Sequence, residues 1–113
     1  MEERDVYLIF FEDKVALRQR PGKGLLAGLW EYPNELSPSA APVPGRAEFA
    51  LTAKHIFTHI EWRMTAYTVE AESGGLPQGW VWADKGALAE TYSVPSAFQG
   101  FFHIVKEHLC SHS

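Results

Sequence analysis

Two histidines, His55 and His59, stand four residues apart, which on a helix is the spacing of a metal-binding pair. The residues around them alternate between polar and apolar types, which is the pattern of a β-strand. That segment supplies neither a third histidine nor a cysteine. A surface or hydrogen-bonded role is therefore favoured over metal binding for this pair.

The glycines and the cysteine do not complete an enzyme motif. Gly22, Gly24 and Gly28 fit neither the phosphate-binding pattern Gly-x-x-x-x-Gly-Lys-Ser/Thr nor a dinucleotide fingerprint, and turns explain them better. There is no Gly-x-Ser-x-Gly motif, and the single cysteine, Cys110, lies near the chain end. One cysteine cannot form an internal disulfide or a four-thiolate cluster, and it favours a reducing, intracellular compartment.

Charge is distributed unevenly along the chain, whose formal net charge is −4. Residues 14–63 carry seven Lys and Arg against four acids, and the remaining residues carry the excess of acid. A basic face of this kind is able to meet a polyanion. Composition alone favours the simpler alternative, a solvated surface with uneven charge.

Length and hydropathy indicate one domain. The chain has 113 residues, of which 46% are hydrophobic, so it is long enough for one packed core. The longest apolar run, residues 6–11, is far shorter than the roughly 20 residues of a membrane-spanning helix. Met1 is followed by acidic and charged residues and not by a basic leader. We expect a domain that is neither membrane-spanning nor secreted.

The first half of the chain predicts short strands. Residues 5–11 and 15–20 predict a hairpin that places Arg18 and Arg20 on one face. Residues 29–32 predict a further strand, which Pro33-Asn34 would close. Residues 36–45 contain three prolines and predict an exposed loop, and residues 46–51 predict one or two helical turns.

The second half begins with the longest alternation, residues 54–71, in which even positions are apolar, odd positions are polar and Phe57 falls on the polar side. Residues 79–83 predict a strand, and Asp84 is a plausible cap for a short helix ending near Glu90. Ser96 and Gln99 form a capping-box pattern. An amphipathic helix is expected after them, with apolar residues Phe98, Phe101, Phe102, Val105 and Leu109. This order of elements predicts a mixed α/β sheet domain.

Three separated motifs resemble one family. They are residues 25–33 (LLAGLWEYP), 55–62 (HIFTHIEW) and 92–98 (YSVPSAF). In this order they resemble the C-terminal domain of MutY, the family of A/G-specific adenine DNA glycosylases, and the resemblance extends over essentially all of residues 1–113. It implies an α/β (α+β) domain with the Nudix (MutT-like) fold, a mixed β-sheet flanked by helices, placed after a catalytic domain that this sequence does not contain.

The resemblance implies that this chain is not catalytic alone. Pyrophosphatases of the MutT type hold Mg²⁺ with clustered glutamates, whereas Glu31, Glu35 and Glu48 are scattered around prolines. The family's [4Fe-4S] cluster belongs to the missing helix-hairpin-helix domain. We therefore expect no cofactor, metal site or catalytic residue in this chain.

Recognition of damaged DNA is the role that the resemblance implies. Phe57-Thr58-His59 matches a Phe-Ser-His loop that inspects 8-oxoguanine opposite the adenine to be removed. 8-Oxoguanine has an N7–H donor beside a C8 carbonyl where guanine has only an N7 acceptor, so one hydroxyl and one backbone N–H are able to discriminate them. Phe57 is expected to act as a wedge in the base stack and His59 to contact the lesion or a phosphate. From the residues alone, a core Phe57 beside a bulge or turn, a strand Thr58 and a surface His59 remain alternatives.

The implied partners are double-stranded DNA with an 8-oxoguanine:adenine pair, the protein's own catalytic domain and other repair proteins, with no membrane. The domain is then expected in the cytoplasm or nucleoid, with DNA. The candidate phosphate contacts are Arg18, Arg20, Lys23, Lys54 and Arg63, each with a solvated-surface alternative. Core and interdomain packing is expected of Trp30, Tyr32, Trp62, Trp80 and Trp82.

Two other functions are compatible with the sequence. The first is a stand-alone Nudix-type nucleotide hydrolase with relocated metal ligands. The second is a protein-interaction module that docks a partner through the proline-rich residues 36–45 or an aromatic face.

Overall fold

A computed structural model of the chain describes residues 1–92 and 94–110, with the backbone alone at Cys110. Ser93, which belongs to the third quoted motif, lies outside the described residues. Seven strands form one sheet. They are β1 (Glu2–Phe11), β2 (Lys14–Gln19), β3 (Trp30–Glu31), β4 (Asn34–Leu36), β5 (Gly45–Ile56), β6 (Glu61–Ala71) and β7 (Trp80–Ala83). The helices are α1 (Lys85–Glu90), a 3-10 helix at Ser96–Phe101 and α2 (Phe102–Cys110).

The sheet is mixed, as the sequence predicts. Its order is β3-β2-β1-β6-β5, and β1 and β6 are parallel while the other pairs are antiparallel. One edge of β1 is shared, because β2 pairs with its last residues and β4 pairs with residues 4–6. The predicted hairpin of β1 and β2 is confirmed by the pairing of Phe10 with Val15.

Strand β1 is buried on both faces, so it lies at the centre of the domain. Val6, Leu8 and Phe10 join the main core, which the 3-10 helix and α2 cover with Phe98, Phe101, Val105 and Leu109. Tyr7 and Ile9 face the other way, toward a smaller cluster that includes Val43 from the proline-rich loop. Alternate residues of β1 thus pack into two hydrophobic clusters, one on each face of the sheet.

Two predicted elements are wrong. Residues 46–51 form no helical turns but belong to β5, because β6 offers them an antiparallel partner, with one register shift between Phe49 and Leu51. Such pairing overrides a weak helical preference. Asn34 does not close a strand but begins β4, which pairs with β1.

The predicted capping box at Ser96 and Gln99 is also wrong. The cap position is Pro95, no side chain makes a capping hydrogen bond, and a 3-10 helix precedes α2. The expected apolar face is buried at Phe98, Phe101, Val105 and Leu109, but Phe102 is 50% exposed.

The short helix α1 begins where the sequence predicts. The Asp84 carboxylate accepts a hydrogen bond from the Ala87 backbone N–H at 2.8 Å. Replacing Asp84 with alanine should lower the free energy of unfolding by about 1 kcal/mol, because the first turn loses its acceptor. Urea unfolding measures this effect. Asp84→Asn keeps an acceptor and should retain most of the stability, and equal losses for the two variants would contradict the capping role.

Candidate nucleic-acid interface

The residues 57–59 of the second motif lie at the tip of the β5–β6 hairpin. Ile56 pairs with Glu61, and the Phe57 N–H donates to the Ile60 carbonyl at 2.7 Å. Thr58 and His59 are therefore the two turn residues, and both are exposed. The structure thus presents the Thr58 hydroxyl and the His59 imidazole to solvent on a short, hydrogen-bonded turn.

Phe57 lies on the core side of this hairpin, and its predicted position on the polar face is wrong. In a two-residue turn the flanking residues share a face, so Phe57 and Ile60 both pack against the main core. The Phe57 ring meets the Trp62 ring edge-on at 5.0 Å and the His55 ring at 4.6 Å, and it is only partly buried. Beyond the register shift between Phe49 and Leu51, the odd residues Leu51, Ala53 and Phe57 pack against the main core. Ile56 is left 63% exposed on the opposite face.

Trp62 supports the hairpin tip from inside the domain. It is 1% exposed, and the guanidinium carbons of Arg4 and Arg20 lie 4.6 Å and 5.4 Å from its ring centroid. Such contacts between a cation and an indole ring are attractive. Phe57 therefore rests on a side chain that is itself held in place.

Arg18 and Arg20, two of the expected phosphate contacts, bind acidic residues of the domain. Glu31 is 1% exposed; its Oε2 accepts from Arg18 Nε at 2.7 Å, and its Oε1 accepts from Arg20 Nη1 at 2.8 Å and Asn34 Nδ2 at 2.9 Å. Arg18 also binds Glu35 at 2.8 Å. Burial alone would lower the pKa of Arg18, but the hydrogen bonds to Glu35 and Glu31 raise it above its usual value. The structure therefore gives both arginines an internal role.

Arg20 also orders the loop of residues 21–29, on which Lys23 lies. Its Nε donates to the Leu25 carbonyl at 2.9 Å, and the Gly28 N–H donates to the Pro21 carbonyl at 3.0 Å. Gly24 and Gly28 have positive φ angles, as expected of turn glycines. Lys23 is exposed in this loop.

Lys54 and Arg63, the remaining expected phosphate contacts, are neighbours. They are paired across β5 and β6, and both are exposed. Arg63 Nε donates to Glu61 Oε2 at 2.8 Å, and this hydrogen bond lowers the pKa of the Glu61 carboxyl. The two basic residues thus lie on the exposed face of the β5–β6 hairpin, whereas Arg18 and Arg20 bind the buried Glu31.

His55 and His59 do not form a metal site with any other described side chain. His55 packs on Phe57, whereas His59 is exposed at the turn. Among the described side chains of residues 1–92 and 94–109, no three from His, Asp or Glu converge on one point. None of the described helices is long and apolar enough to cross a membrane.

The sequence predicts the core packing of Trp62 but not the supporting roles of Glu31 and Asn34. A carboxylate inside the aromatic segment Trp30-Glu31-Tyr32 was the available signal, because a buried carboxylate requires cationic partners. The nearby Arg18 and Arg20 are those partners, but their pairing depends on β2 and β3 being adjacent strands.

The sequence profile of the NUDIX domain family matches residues 6–103 of the chain. The chain is 29% identical to the adenine DNA glycosylase of Mus musculus over 114 residues, which covers 83% of this chain and 22% of that protein. It thus spans about a fifth of the curated relative it matches.

Solved structures agree on the fold. The C-terminal domain of mouse MUTYH, solved in complex with human PCNA, has a TM-score of 0.74 at 24% identity, with 96% of this chain and 89% of that chain covered. The NUDIX domain of Shewanella oneidensis NrtR, complexed with ADP ribose, has a TM-score of 0.72 at 14% identity, with 95% and 88% covered. A MutT protein from Methanosarcina mazei has a TM-score of 0.71 at 14% identity, with 94% and 93% covered. The expected Nudix fold and the resemblance to adenine glycosylase C-terminal domains are confirmed.

Proposed function

We propose that this chain, which belongs to the NUDIX domain family, is the lesion-recognition domain of an adenine DNA glycosylase and reads 8-oxoguanine opposite a mispaired adenine. The observation that carries the proposal is the exposed Thr58-His59 turn, and it lies in the segment that resembles the family's Phe-Ser-His loop. A short turn closed by a backbone hydrogen bond holds the Thr58 backbone, from which the hydroxyl projects, in a defined place. That rigidity is what discrimination between two similar bases requires.

Thr58 has the chemistry to read the lesion. Its hydroxyl both donates and accepts hydrogen bonds, so it is able to meet the N7–H group or the C8 carbonyl of 8-oxoguanine. Undamaged guanine lacks both groups and has an acceptor at N7 and a C–H at C8 in their place. The extra methyl group, relative to serine, leaves the hydroxyl in place.

A Thr58→Val substitution tests this role. Valine has nearly the same shape without the hydroxyl, so the preference for 8-oxoguanine:adenine over guanine:adenine should fall by about 1 to 3 kcal/mol in the full-length glycosylase. Competitive binding of the two duplexes measures the preference. Thr58→Ser keeps the hydroxyl and should keep the preference. An undiminished preference in Thr58→Val would remove Thr58 from the mechanism.

Phe57 and His59 complete the proposed reading loop. The Phe57 ring is supported by Trp62 and is only partly buried, so its outer edge is the part that would wedge against the base stack. His59 is exposed beside Thr58 and would contact the lesion or a phosphate. Both roles depend on the same turn.

Base excision itself is assigned to the catalytic half of the protein, which would carry the family's [4Fe-4S] cluster. The single cysteine of this sequence cannot supply four thiolate ligands, so the cluster does not fit this domain. The proposed partners are duplex DNA with the mispair, that catalytic half and a further repair protein, since the mouse C-terminal domain binds PCNA. The proposed location is with the DNA inside the cell.

Nucleotide hydrolysis, the activity suggested by the fold, has weaker support. A Mg²⁺ ion needs carboxylate oxygens, and both oxygens of Glu31 already accept hydrogen bonds from guanidinium groups. Glu35 is bound to Arg18 as well. Mg²⁺-dependent turnover of 8-oxo-dGTP by this chain would favour nucleotide hydrolysis over lesion recognition.

A further inference from the structure

A cavity of about 510 Å³ opens on the outer face of the sheet. Its walls are two adjacent lines of residues that cross the strands. In the first line Glu3, Arg63 and Lys54 are neighbours on β1, β6 and β5. In the second line Thr65 on β6 is paired with Thr52 on β5. Ser37 adds a third hydroxyl at the rim. The cavity is therefore lined by two cationic side chains and three hydroxyl groups, with one carboxylate.

The hairpin connects this cavity to the proposed reading loop. Lys54 precedes Thr58 by four residues, which in an extended strand is about 13 Å. A DNA duplex rises about 3.4 Å for each base pair, so this distance corresponds to about four base pairs. A duplex read by Thr58 would pass the cavity if its axis ran along the hairpin strands.

The two cations are held differently. The Glu61 carboxylate fixes the Arg63 Nε, and the rest of that guanidinium faces outward. The exposed Lys54 ammonium makes no ion pair with residues 1–92 or 94–110. The Glu61 carboxylate is an opposing charge that acts on Lys54 without a direct ion pair. A phosphodiester would add a direct anionic partner, and Thr52 and Thr65 would donate hydrogen bonds to its oxygens, as hydroxyl groups commonly do in DNA complexes.

We infer that this cavity binds a backbone phosphate of the same duplex whose base the hairpin tip reads. The inference rests on the proposed function and adds the contact that sets the register of the DNA on the domain. Phosphate contacts position a protein on DNA without reading sequence, so this site contributes affinity and the turn contributes discrimination.

A substitution at Glu3 tests the inference, because it should strengthen DNA binding where the other substitutions weaken it. Its carboxylate lies in the same row as Arg63 and Lys54 and opposes an incoming phosphate. Glu3→Gln should therefore strengthen DNA binding by about 2-fold to 5-fold, because it removes a repulsive charge and keeps the size of the side chain.

The experiment is fluorescence anisotropy of the 113-residue chain with 8-oxoguanine:adenine and guanine:adenine duplexes over a series of salt concentrations. Lys54→Ala should weaken binding to both duplexes about equally, by roughly 3-fold to 10-fold, and lower the salt slope by about 1. Thr52→Val should weaken both without changing the slope. Lys14→Ala is the matched control, because Lys14 pairs with Phe11 at the opposite end of β1. This substitution should change neither the affinity for DNA nor the salt slope.

Each outcome separates the two claims. If Lys54→Ala leaves affinity and salt slope unchanged while Thr58→Val loses discrimination, the cavity assignment is wrong and the reading loop stands. If Lys54→Ala weakens binding while Thr58→Val keeps discrimination, the reading loop is wrong. A weakening by Lys54→Ala that is confined to the 8-oxoguanine duplex, or the absence of binding to both duplexes, also overturns the inference.

Discussion

Replacing Glu31 with alanine is expected to lower the free energy of unfolding by about 3 to 5 kcal/mol. The substitution removes the carboxylate that Arg18, Arg20 and Asn34 share, and it leaves two guanidinium groups in a mostly buried region without their partner. The cost arises mainly because Arg20 loses its carboxylate partner and Arg18 keeps only the exposed Glu35, and less from the lost attraction. Urea unfolding followed by circular dichroism measures the change.

Glu35→Gln is the control for Glu31→Ala. Glu35 binds the same Arg18, but its side chain is 58% exposed, so solvent screens the pair and the loss should stay within about 1 kcal/mol. Comparable losses for the two variants would contradict the argument from burial. Glu31→Gln is the substitute if Glu31→Ala is too unstable to study. It keeps an acceptor for one arginine, so its loss in the free energy of unfolding should lie between those of Glu31→Ala and Glu35→Gln.

The second large effect is expected for Trp62→Ala, which should cost about 3 to 5 kcal/mol because a fully buried indole leaves a cavity behind. The same change removes the surface on which Phe57 rests, so the hairpin tip should also lose its fixed position. Unfolding measurements give the stability. Amide exchange at Phe57, whose N–H is bonded to the Ile60 carbonyl, reports on the turn.

Trp62→Phe and Trp80→Ala separate these two consequences. Phenylalanine preserves an aromatic surface for Phe57 and should protect the Phe57 amide better than alanine does. Trp80 is only half-buried, on β7, and its removal should leave exchange at the hairpin tip unchanged. Faster exchange at Phe57 in Trp80→Ala would show that general loss of stability, and not the Trp62 contact, governs the turn.

The strands and the α1 cap could be predicted because local patterns determine them. Residues 5–11 have the apolar and aromatic composition of a buried strand, and Asp84 is followed by a short helix whose first turn it caps. The β5 segment could not be identified locally, since its strand structure depends on β6. The proline-rich loop was predictable because three prolines exclude a helix there.

The candidate site shows the limits of sequence periodicity. The alternation of residues 54–71 continues through the turn at Thr58 and His59, but a two-residue turn changes which parity faces the core. The alternation therefore predicts the wrong face for Phe57, and the structure supports the alternative in which Phe57 packs on the core beside a turn. The exposure of Thr58 and His59 followed from the motif, and their role in binding DNA stays a prediction.

The phosphate contacts were the least predictable part of the site. Charge alone cannot distinguish Arg18 and Arg20, which bind the buried Glu31, from Lys54, which lies on the open face. That distinction depends on a carboxylate from another strand. Only the sheet topology brings Glu31 beside the two arginines.

The most direct test of the lesion-reading role is an amide NMR titration of the chain with two duplexes that differ only in 8-oxoguanine:adenine or guanine:adenine, at one fixed moderate salt concentration. The proposed function predicts larger shifts at Phe57, Thr58 and His59 with the lesion duplex than with the control duplex. Equal shifts at these three residues with both duplexes, or no shifts at all, would contradict recognition of 8-oxoguanine by this turn.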